Sequence, residues 1–454
     1  MQGDIPTFRE AFAVWLRIGL LSFGGPAGQI ALMHRILVDE RRWISEGRFL
    51  HALNYCMLLP GPEAQQLATY CGWLMHRTVG GLAAGILFVL PGAVVMLALS
   101  VLYAGFRDVT FVEALFFGVK AAVLAVVIQA VIRIGSRALR NRAMIAIAAS
   151  AFVAIYFLAI PFPLIVLGAA TIGLAGGRLC PHIFSAGGHG DGSAADDADF
   201  AVERMKARGL LGHTSPSARR AVSVSAICLV LWILPVALLA YLLGPGHVYV
   251  QEGLFFSKMA VVTFGGAYAV LAYVAQQAVE VYGWLAPGEM LDGLGMAETT
   301  PGPLILVVQH VGFIGAFRNP GALDPMLAGT LGAILTTWVT FVPCFLWIFL
   351  GAPWIERLRG NRVLNAALTA ITAAVVGVIL NLAVWFGTHA LFAEVAERTA
   401  YGFRLYVPAW ETLDPGMLLL TVGALVATLR FGAGMLPTLA VSALLGVVWF
   451  YGGR

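Results

Sequence analysis

The stretches LSFGGPAGQ at 21–29 and VTFGGAYAV at 262–270 place the same tripeptide, Phe-Gly-Gly, inside two long apolar segments. Glycine is a poor helix former, so a Gly-Gly pair interrupts the helix that such a segment would otherwise form. A second motif, Pro-Gly-Pro, also stands twice, at 60–62 and 301–303. Both motifs recur at a spacing of 241 residues, which indicates two copies of one unit.

The composition predicts the class of protein that carries these breaks. Of the 454 residues, 60% are hydrophobic and 11% are charged, whereas soluble domains carry roughly 25% charged residues. Apolar runs long enough to cross a bilayer recur along the chain, for example at 79–104, 110–135, 221–243 and 327–351. We therefore predict an all-α polytopic membrane protein.

Several other classes lack support in the sequence. The start, MQGDIPTFRE, has no basic region or cleavage site of a signal peptide, so we expect the first apolar segment to be retained. Five cysteines without CxxC spacing or a nearby His set support neither a metal site nor disulfides. There is no Walker motif or HExxH pair, and we expect no cofactor. The net charge of +4 lies in loops, where it favours a topological role over nucleic-acid binding.

The repeat divides the chain into four parts. We predict a first repeat at 1–177, a polar, flexible cytoplasmic linker at 178–220, one extra connecting helix at 221–243 and a second repeat at 244–454. An insertion near 318–325 changes the spacing to 252, so that Pro91 matches Pro343.

The basic residues predict opposite orientations for the two repeats. Loop 34–48 holds four arginines, and its repeat equivalent at 278–289 holds no basic residue. Because Lys and Arg favour the cytoplasmic side, these loops should face opposite sides of the membrane. The extra helix would then invert the second repeat. With this topology the segments 8–33, 49–77 and 250–277 each begin and end on one side, as re-entrant hairpins do.

The breaks are candidate binding elements. Each break creates a helix N-terminus with free N–H groups and a partial positive charge, which binds anions. Two inverted copies would direct these ends at one midplane site, although packing hinges are the alternative reading. The predicted binding residues are Phe23, Gly24, Gly25, Pro60, Gly61, Pro62, Phe264, Gly265, Gly266, Pro301, Gly302 and Pro303.

Charged side chains inside apolar segments are costly and usually functional. We expect Lys120, Arg17 and Lys258 to contribute positive charge to the binding of an anion. The alternatives are an internal Lys120–Glu113 pair and, for Arg17 and Lys258, side chains that extend to the interface. Glu63, Glu298 and Glu113 are candidates for proton coupling, while the first-turn position of Glu63 also stabilises a helix. His310 is a candidate proton relay, but a single His is more often structural.

The motif-bearing stretches resemble the chromate ion transporter family of bacteria in its long two-domain form. They are SFGGPAGQ at 22–29, LLPGPEAQQLATYCGW at 58–73, SKMAVVTFGGAYAVL at 257–271 and GLGMAETTPGPLILVVQHVGF at 293–313. The resemblance implies a carrier in the bacterial inner (plasma) membrane that exports chromate, coupled to the proton gradient as an antiporter, and confers chromate resistance. Sulfate, a similar tetrahedral dianion, is the expected competitor. The second copy has Ala267 where the first has Pro26, so the two tips are not equivalent.

Three other functions remain open from the sequence. An anion channel would share the architecture without accumulating substrate, and a sulfate importer would differ in the direction of flux. A membrane-embedded enzyme acting on lipids lacks a recognisable catalytic constellation. The expected partners are chromate, sulfate and the lipid bilayer. The sequence does not decide whether the chain forms a homodimer.

Overall fold

The computed structural model describes residues 5–23, 25–57, 59–106, 109–184, 200–264, 267–286, 288–354, 362–400 and 403–452. The helices that precede and include the connecting helix are α1 (Phe8–Leu21), α2 (Gly25–His34), α3 (Glu46–Cys56), α4 (Glu63–Phe106), α5 (Thr110–Ala138), α6 (Arg142–Tyr156), α7 (Phe162–Leu179), α8 (Pro181–Phe184), α9 (Ala201–Ala207) and α10 (Ala218–Leu243). The remaining elements are α11 (Val248–Val262), α12 (Ala267–Gln276), α13 (Glu289–Thr299), α14 (Val307–Arg318), α15 (Pro325–Gly351), α16 (Arg362–Leu391), β1 (Val395–Ala400), β2 (Phe403–Pro408), α17 (Pro415–Leu429) and α18 (Met435–Gly452).

The chain is an all-α polytopic membrane protein, as its composition predicts. Among the described residues, seven helices are long and apolar enough to cross a membrane, and they include all four predicted runs. The other three are Phe162–Leu179, Ala366–Leu391 and Met435–Gly452. A short antiparallel pair of strands, β1 and β2, was not predicted from the sequence; in it Val395 faces Pro408 and Ala400 faces Phe403.

Helix boundaries recur at the repeat spacing. In the first half α1 and α2 are followed by the π-helical turn Arg35–Glu40, and in the second half α11 and α12 are followed by the π-helical turn Gln277–Val281. The long helix α4 corresponds to α14 and α15 together. His76 and Arg77 have non-helical backbone angles within α4, at the place where the second half has the loop between α14 and α15. Thus the same break is a kink in one half and a loop in the other.

The helices on both sides of each Phe-Gly-Gly break are too short to cross the bilayer alone. At 1.5 Å per residue, the 14 residues of α1 span about 21 Å, whereas the hydrocarbon core is about 30 Å thick. The helix α2 has 10 residues and α12 also has 10. Non-helical backbone at membrane depth must be buried in protein or line a cavity, so these breaks have to lie against other helices.

The core lies around α16, and the connecting helix α10 lies at the periphery. The apolar window of α16 is 72% buried, and this helix packs against α5, α6 and α7. The window of α10 is 11% buried, and the helix packs on α11 and α15. Exposed apolar side chains such as Val222, Ile227 and Leu234 cover its outer face, as is expected for contact with lipid.

The prediction of a flexible linker is wrong for residues 200–217. Ala201 and Val202 are fully buried, and their N–H groups donate to the carbonyls of Arg42 and Trp43, both at 3.0 Å. Arg48 pairs with Glu203 at 2.8 Å. Apolar side chains on α9 give this segment a face to bury, which the Gly- and Asp-rich stretch before it does not offer. Residues 185–199 lie outside the described ranges.

Candidate functional site

All four breaks meet at one small buried cavity. Its lining comes from the first turns that follow each break and from neighbouring residues: Pro26, Gln29, Pro62, Glu63, Ala64, Thr263, Ala267, Pro303, Leu304 and Ile305. The two repeats therefore contribute to the same place, although their break motifs are separated by 241 residues in the chain.

Two matching backbone hydrogen bonds join the breaks of opposite repeats. The N–H of Gly61 donates to the carbonyl of Thr263 at 2.8 Å, and the N–H of Gly302 donates to the carbonyl of Ser22 at 2.9 Å. Each Pro-Gly-Pro motif thus binds the residue just before the other repeat's Phe-Gly-Gly motif. Ser22 and Thr263 also match in their side chains, whose hydroxyls donate at 2.6 Å to the carbonyls of Ile18 and Met259.

The backbone at these crossings requires glycine. Gly61 has φ +115°, Gly302 has φ +90° and Gly25 has φ +70°, all in the region that side-chain-bearing residues rarely adopt. At Gly92 on α4 the reason is contact: a Cβ there would overlap the carbonyl oxygen of Pro301. The second Pro-Gly-Pro break therefore rests directly on the α4 backbone.

Gln29 is the side chain that crosses between the breaks. Its Nε2 donates to the carbonyl of Gly302 at 2.6 Å and lies 3.4 Å from the carbonyl of Ser22. Gln29 is buried, and position 270 of the second copy holds Val. The site is thus approximately symmetric in its backbone and asymmetric in its side chains.

Four helical first turns surround the cavity. The helix α2 begins at Gly25, α4 at Glu63 and α12 at Ala267, while the 3₁₀ turn Leu304–Leu306 leads into α14. A helical segment thus follows each of the four breaks. The N–H groups of a first turn lack intrahelical acceptors and carry partial positive charge. Such an arrangement can hold a negatively charged group.

The cavity is nearly closed. Its volume is about 10 Å³, which is about the room that one water molecule needs. A group larger than one water molecule does not fit into this volume in the present conformation.

The structure brings together only part of the predicted site. The residues of the two Pro-Gly-Pro motifs and Glu63 lie at the crossing, whereas Gly24, Gly265 and Gly266 lie outside the described residues. Phe23 and Phe264 are partly buried beside the breaks. Glu298 is buried near the end of α13, where its carboxylate accepts a hydrogen bond from the hydroxyl of Tyr268.

Of the predicted charged residues, only Glu63 lines the cavity, and three of the others are exposed. Arg17 is exposed, and its Nη1 lies 3.8 Å from Glu40. Lys258 is also exposed, with its Nζ 5.7 Å from the ring centre of Tyr273. Glu113 is exposed in the first turn of α5. For Arg17 and Lys258 these positions favour the interfacial alternative.

Lys120 pairs with Asp292, a residue that the sequence analysis missed. The Lys120 Nζ lies 3.3 Å from Asp292 Oδ2, so the alternative Lys120–Glu113 pair is wrong. Tyr103 donates to the same carboxylate oxygen at 2.9 Å. A carboxylate two turns before Pro-Gly-Pro, within an apolar stretch, was the available signal for Asp292. Gln29 gave no signal, because only tertiary contact sets its partner.

Comparison with known proteins identifies relatives for both halves. The family model described as Chromate transporter matches residues 9–174 and 250–447. The chromate transport protein of Pseudomonas aeruginosa is 33% identical over 386 residues, covering 82% of this chain and 79% of that protein. The chromate transport protein of Cupriavidus metallidurans is 27% identical over 375 residues, covering 82% and 81%. No solved structure matches the chain significantly.

Proposed function

The chain belongs to the chromate transporter family, and from that premise we propose that it is a secondary active transporter that exports chromate, coupled to the proton gradient, and so confers chromate resistance. It is a multi-pass bacterial membrane protein and a transporter, not an enzyme. The direction of flux, the coupling and the resistance are the parts that we propose.

The cavity where the four breaks meet is the observation that carries the proposal. Two inverted repeats with discontinuous helices bind their substrate at the midplane, where helix N-termini point at anionic groups. Here the first turns after all four breaks line one cavity. We place the oxyanion there, held by N–H groups of these turns.

Alternating access requires the two crossings to open in turn. The hydrogen bonds Gly61–Thr263 and Gly302–Ser22 close the cavity in this conformation. Because each joins an element of one repeat to an element of the other, rocking of the repeats changes both together. We propose that separation of the breaks admits the substrate from one side, and that reclosure precedes its release on the other.

The exposed basic residues attract the substrate as it approaches the site and do not bind it inside the cavity. Arg17 and Lys258 each stand six residues before a Phe-Gly-Gly motif, and both are exposed. Positive charge beside an entry path raises the local concentration of a dianion. Glu63 lines the cavity itself, so its carboxyl has to be neutral or turned away when an oxyanion binds.

The test is chromate uptake into everted membrane vesicles, with and without an imposed proton gradient and with excess sulfate. We expect gradient-dependent accumulation above empty-vector vesicles, reduced by sulfate. Equilibration without accumulation would indicate an anion channel and contradict coupled transport. Accumulation only in right-side-out vesicles would indicate an importer, and no chromate flux in either orientation would exclude chromate as the substrate.

A further inference from the structure

Building on the proposed function, we propose that Asp292 is the proton-carrying group of the transport cycle. In its charged form it is locked to Lys120, and this ion pair holds the second Pro-Gly-Pro break against the first repeat. Addition of a proton to Asp292 removes the lock and lets the break move.

Asp292 lies inside the protein with an incomplete set of partners. Its side chain is 4% exposed. Oδ2 faces Lys120 Nζ at 3.3 Å and accepts the Tyr103 hydroxyl at 2.9 Å. Oδ1 is buried and has no hydrogen-bond partner among the residues that the structure describes. Burial of such an oxygen as part of a carboxylate is unfavourable, and a proton can be added there without displacing an existing partner.

The contacts of Asp292 join the two repeats across the second break. Asp292 is on α13 and precedes Pro301-Gly302-Pro303, while Lys120 is on α5 and Tyr103 on α4. On the other side of the break, Nδ1 of His310 on α14 lies 3.0 Å from the hydroxyl oxygen of Ser100 on α4. Its ring stands edge-on to Tyr103 with 5.2 Å between centroids. Both arms of the break are thus tied to α4 and α5 through polar groups.

The other charged groups near Asp292 either have partners of their own or lie elsewhere, which leaves Lys120 as its ionic partner among the described residues. Glu289 lies one turn earlier on α13, but Arg318 of α14 binds it at 2.7 and 2.8 Å. The helix α18, which also packs on α13, contains no Asp, Glu, Lys, Arg or His in its sequence MLPTLAVSALLGVVWFYG, and its Tyr451 is exposed. His310 is buried, and its Nε2 lacks a partner within the described ranges. Lys120 is therefore the cation that the described residues place on Asp292.

Protonation makes separation of α13 from α5 less costly. When a buried ion pair separates, it leaves two charges without partners in a medium of low dielectric constant. A protonated Asp292 is neutral, and the Lys120 side chain, which is 27% exposed, can extend its ammonium group toward water. The step needs one proton from one side of the membrane and returns it on the other.

The cluster has no counterpart at the repeat-related positions. The positions that match Asp292, Lys120 and His310 at the repeat spacings are His51, Thr372 and Thr69. The backbone crossings occur twice, but the ionic lock occurs once. Glu298 lacks the same role, because its described partner Tyr268 belongs to its own repeat.

The variant Asp292→Asn separates coupling from transport. Asn keeps the size of the side chain and is permanently neutral, so the lock is always released. We expect chromate–chromate exchange in proteoliposomes within about threefold of wild type and independent of pH between about 6 and 8. Gradient-driven accumulation and chromate-linked proton movement should fall at least about tenfold, since no proton is carried.

Three further variants keep the test decisive. Glu289→Gln removes the buried carboxylate one turn before Asp292 on α13 and should retain pH-dependent, coupled transport. Lys120→Met leaves Asp292 without its cation and should impair exchange, which Lys120→Met combined with Asp292→Asn should restore without accumulation. Amounts of inserted, monodisperse protein are measured for each variant.

The outcomes are distinguishable. Coupled accumulation by Asp292→Asn at the wild-type level would overturn the assignment. Loss of exchange as well, in well-folded Asp292→Asn, would indicate a structural ion pair and also overturn it. If wild type shows neither exchange nor accumulation of chromate, the proposed substrate fails instead. Proton movement linked to sulfate, present in wild type and absent in Asp292→Asn, would then still support the coupling role.

Discussion

At Gly92, the absence of a side chain allows α4 and the second Pro-Gly-Pro break to touch through their backbones. A Cβ at this position would overlap the Pro301 carbonyl oxygen, which is rigid backbone and cannot turn aside. Gly302, which follows Pro301, has φ +90° and lies near the Phe88 carbonyl. Residues of this kind affect the site through fit and contribute no chemistry of their own.

We expect Gly92→Ala to reduce chromate transport at least about tenfold, because overpacking of a tight backbone contact costs about 1–3 kcal/mol. Gly423→Ala on α17 is the matched control, since a Cβ there meets no atom within 4 Å. Initial rates of uptake, normalised to inserted protein, measure the difference. Equal rates for the two variants would contradict the direct contact.

At the scale of the element, each break obtains its backbone hydrogen-bond partner from a break of the other repeat. The short helices α1 and α2 could not remain at membrane depth alone, because their interrupted backbone needs partners. The carbonyl of Ser22 receives the N–H of Gly302, and Gln29 adds a side-chain bond to the same motif. The elements are thus parts of one crossing.

We expect Gln29→Ala to weaken this crossing, since a buried hydrogen bond contributes about 0.5–1.5 kcal/mol and its loss leaves the Gly302 carbonyl without the amide donor. Transport should fall about three- to tenfold. Gln251→Ala is the control, because that side chain makes a comparable bond to the Gly246 carbonyl at an exposed site. Parallel measurements of uptake rate and thermal stability in detergent would test this, and a larger effect of Gln251→Ala would contradict it.

At the scale of the whole molecule, polar contacts group the loops into two sets. Loop 34–48 binds the segment at 200–203, and Asn141 donates to the carbonyl of Ile183 at 2.8 Å. In the second set, Glu280 accepts hydrogen bonds from Arg404, Tyr406 and Trp385. The predicted inverted topology puts the first set in the cytoplasm and the second outside.

Labelling of introduced cysteines tests this topology. Glu40→Cys and Val281→Cys are repeat mates at the ends of the two π-helical turns, and both positions are exposed. Leu285, in the loop that follows the second turn, is buried and therefore unsuitable as a labelling site. We expect a membrane-impermeant maleimide to label Val281→Cys in intact cells and Glu40→Cys only in everted vesicles. The unmodified chain serves as the control for its own cysteines, and labelling of both variants from one side would exclude inversion.

Much of the architecture follows from local sequence signals. The clustered motifs Phe-Gly-Gly and Pro-Gly-Pro mark helix ends, so the ends of α1 and α11 and the start of α4 were predictable, whereas the single prolines Pro91, Pro235 and Pro343 lie inside long helices. The packing of side chains was harder to predict from the sequence. Residues 200–217 were predicted to be flexible from their polar composition, although Ala201, Val202 and Met205 form a buried apolar face. The pair Lys120–Asp292 was missed because the two residues are 172 positions apart and belong to different repeats.

The sequence by itself determined the membrane class, the repeated unit, the positions of the Phe-Gly-Gly and Pro-Gly-Pro breaks and the family, because these depend on composition, spacing and intrinsic backbone preference. Only the tertiary structure decided which residues meet. It brought Gly61 to Thr263 and Gly302 to Ser22, left Arg17 and Lys258 on the surface, and paired Lys120 with Asp292. The physical reason is that partners distant in the chain are selected by helix packing and by the need to satisfy buried polar groups. No local pattern encodes that selection.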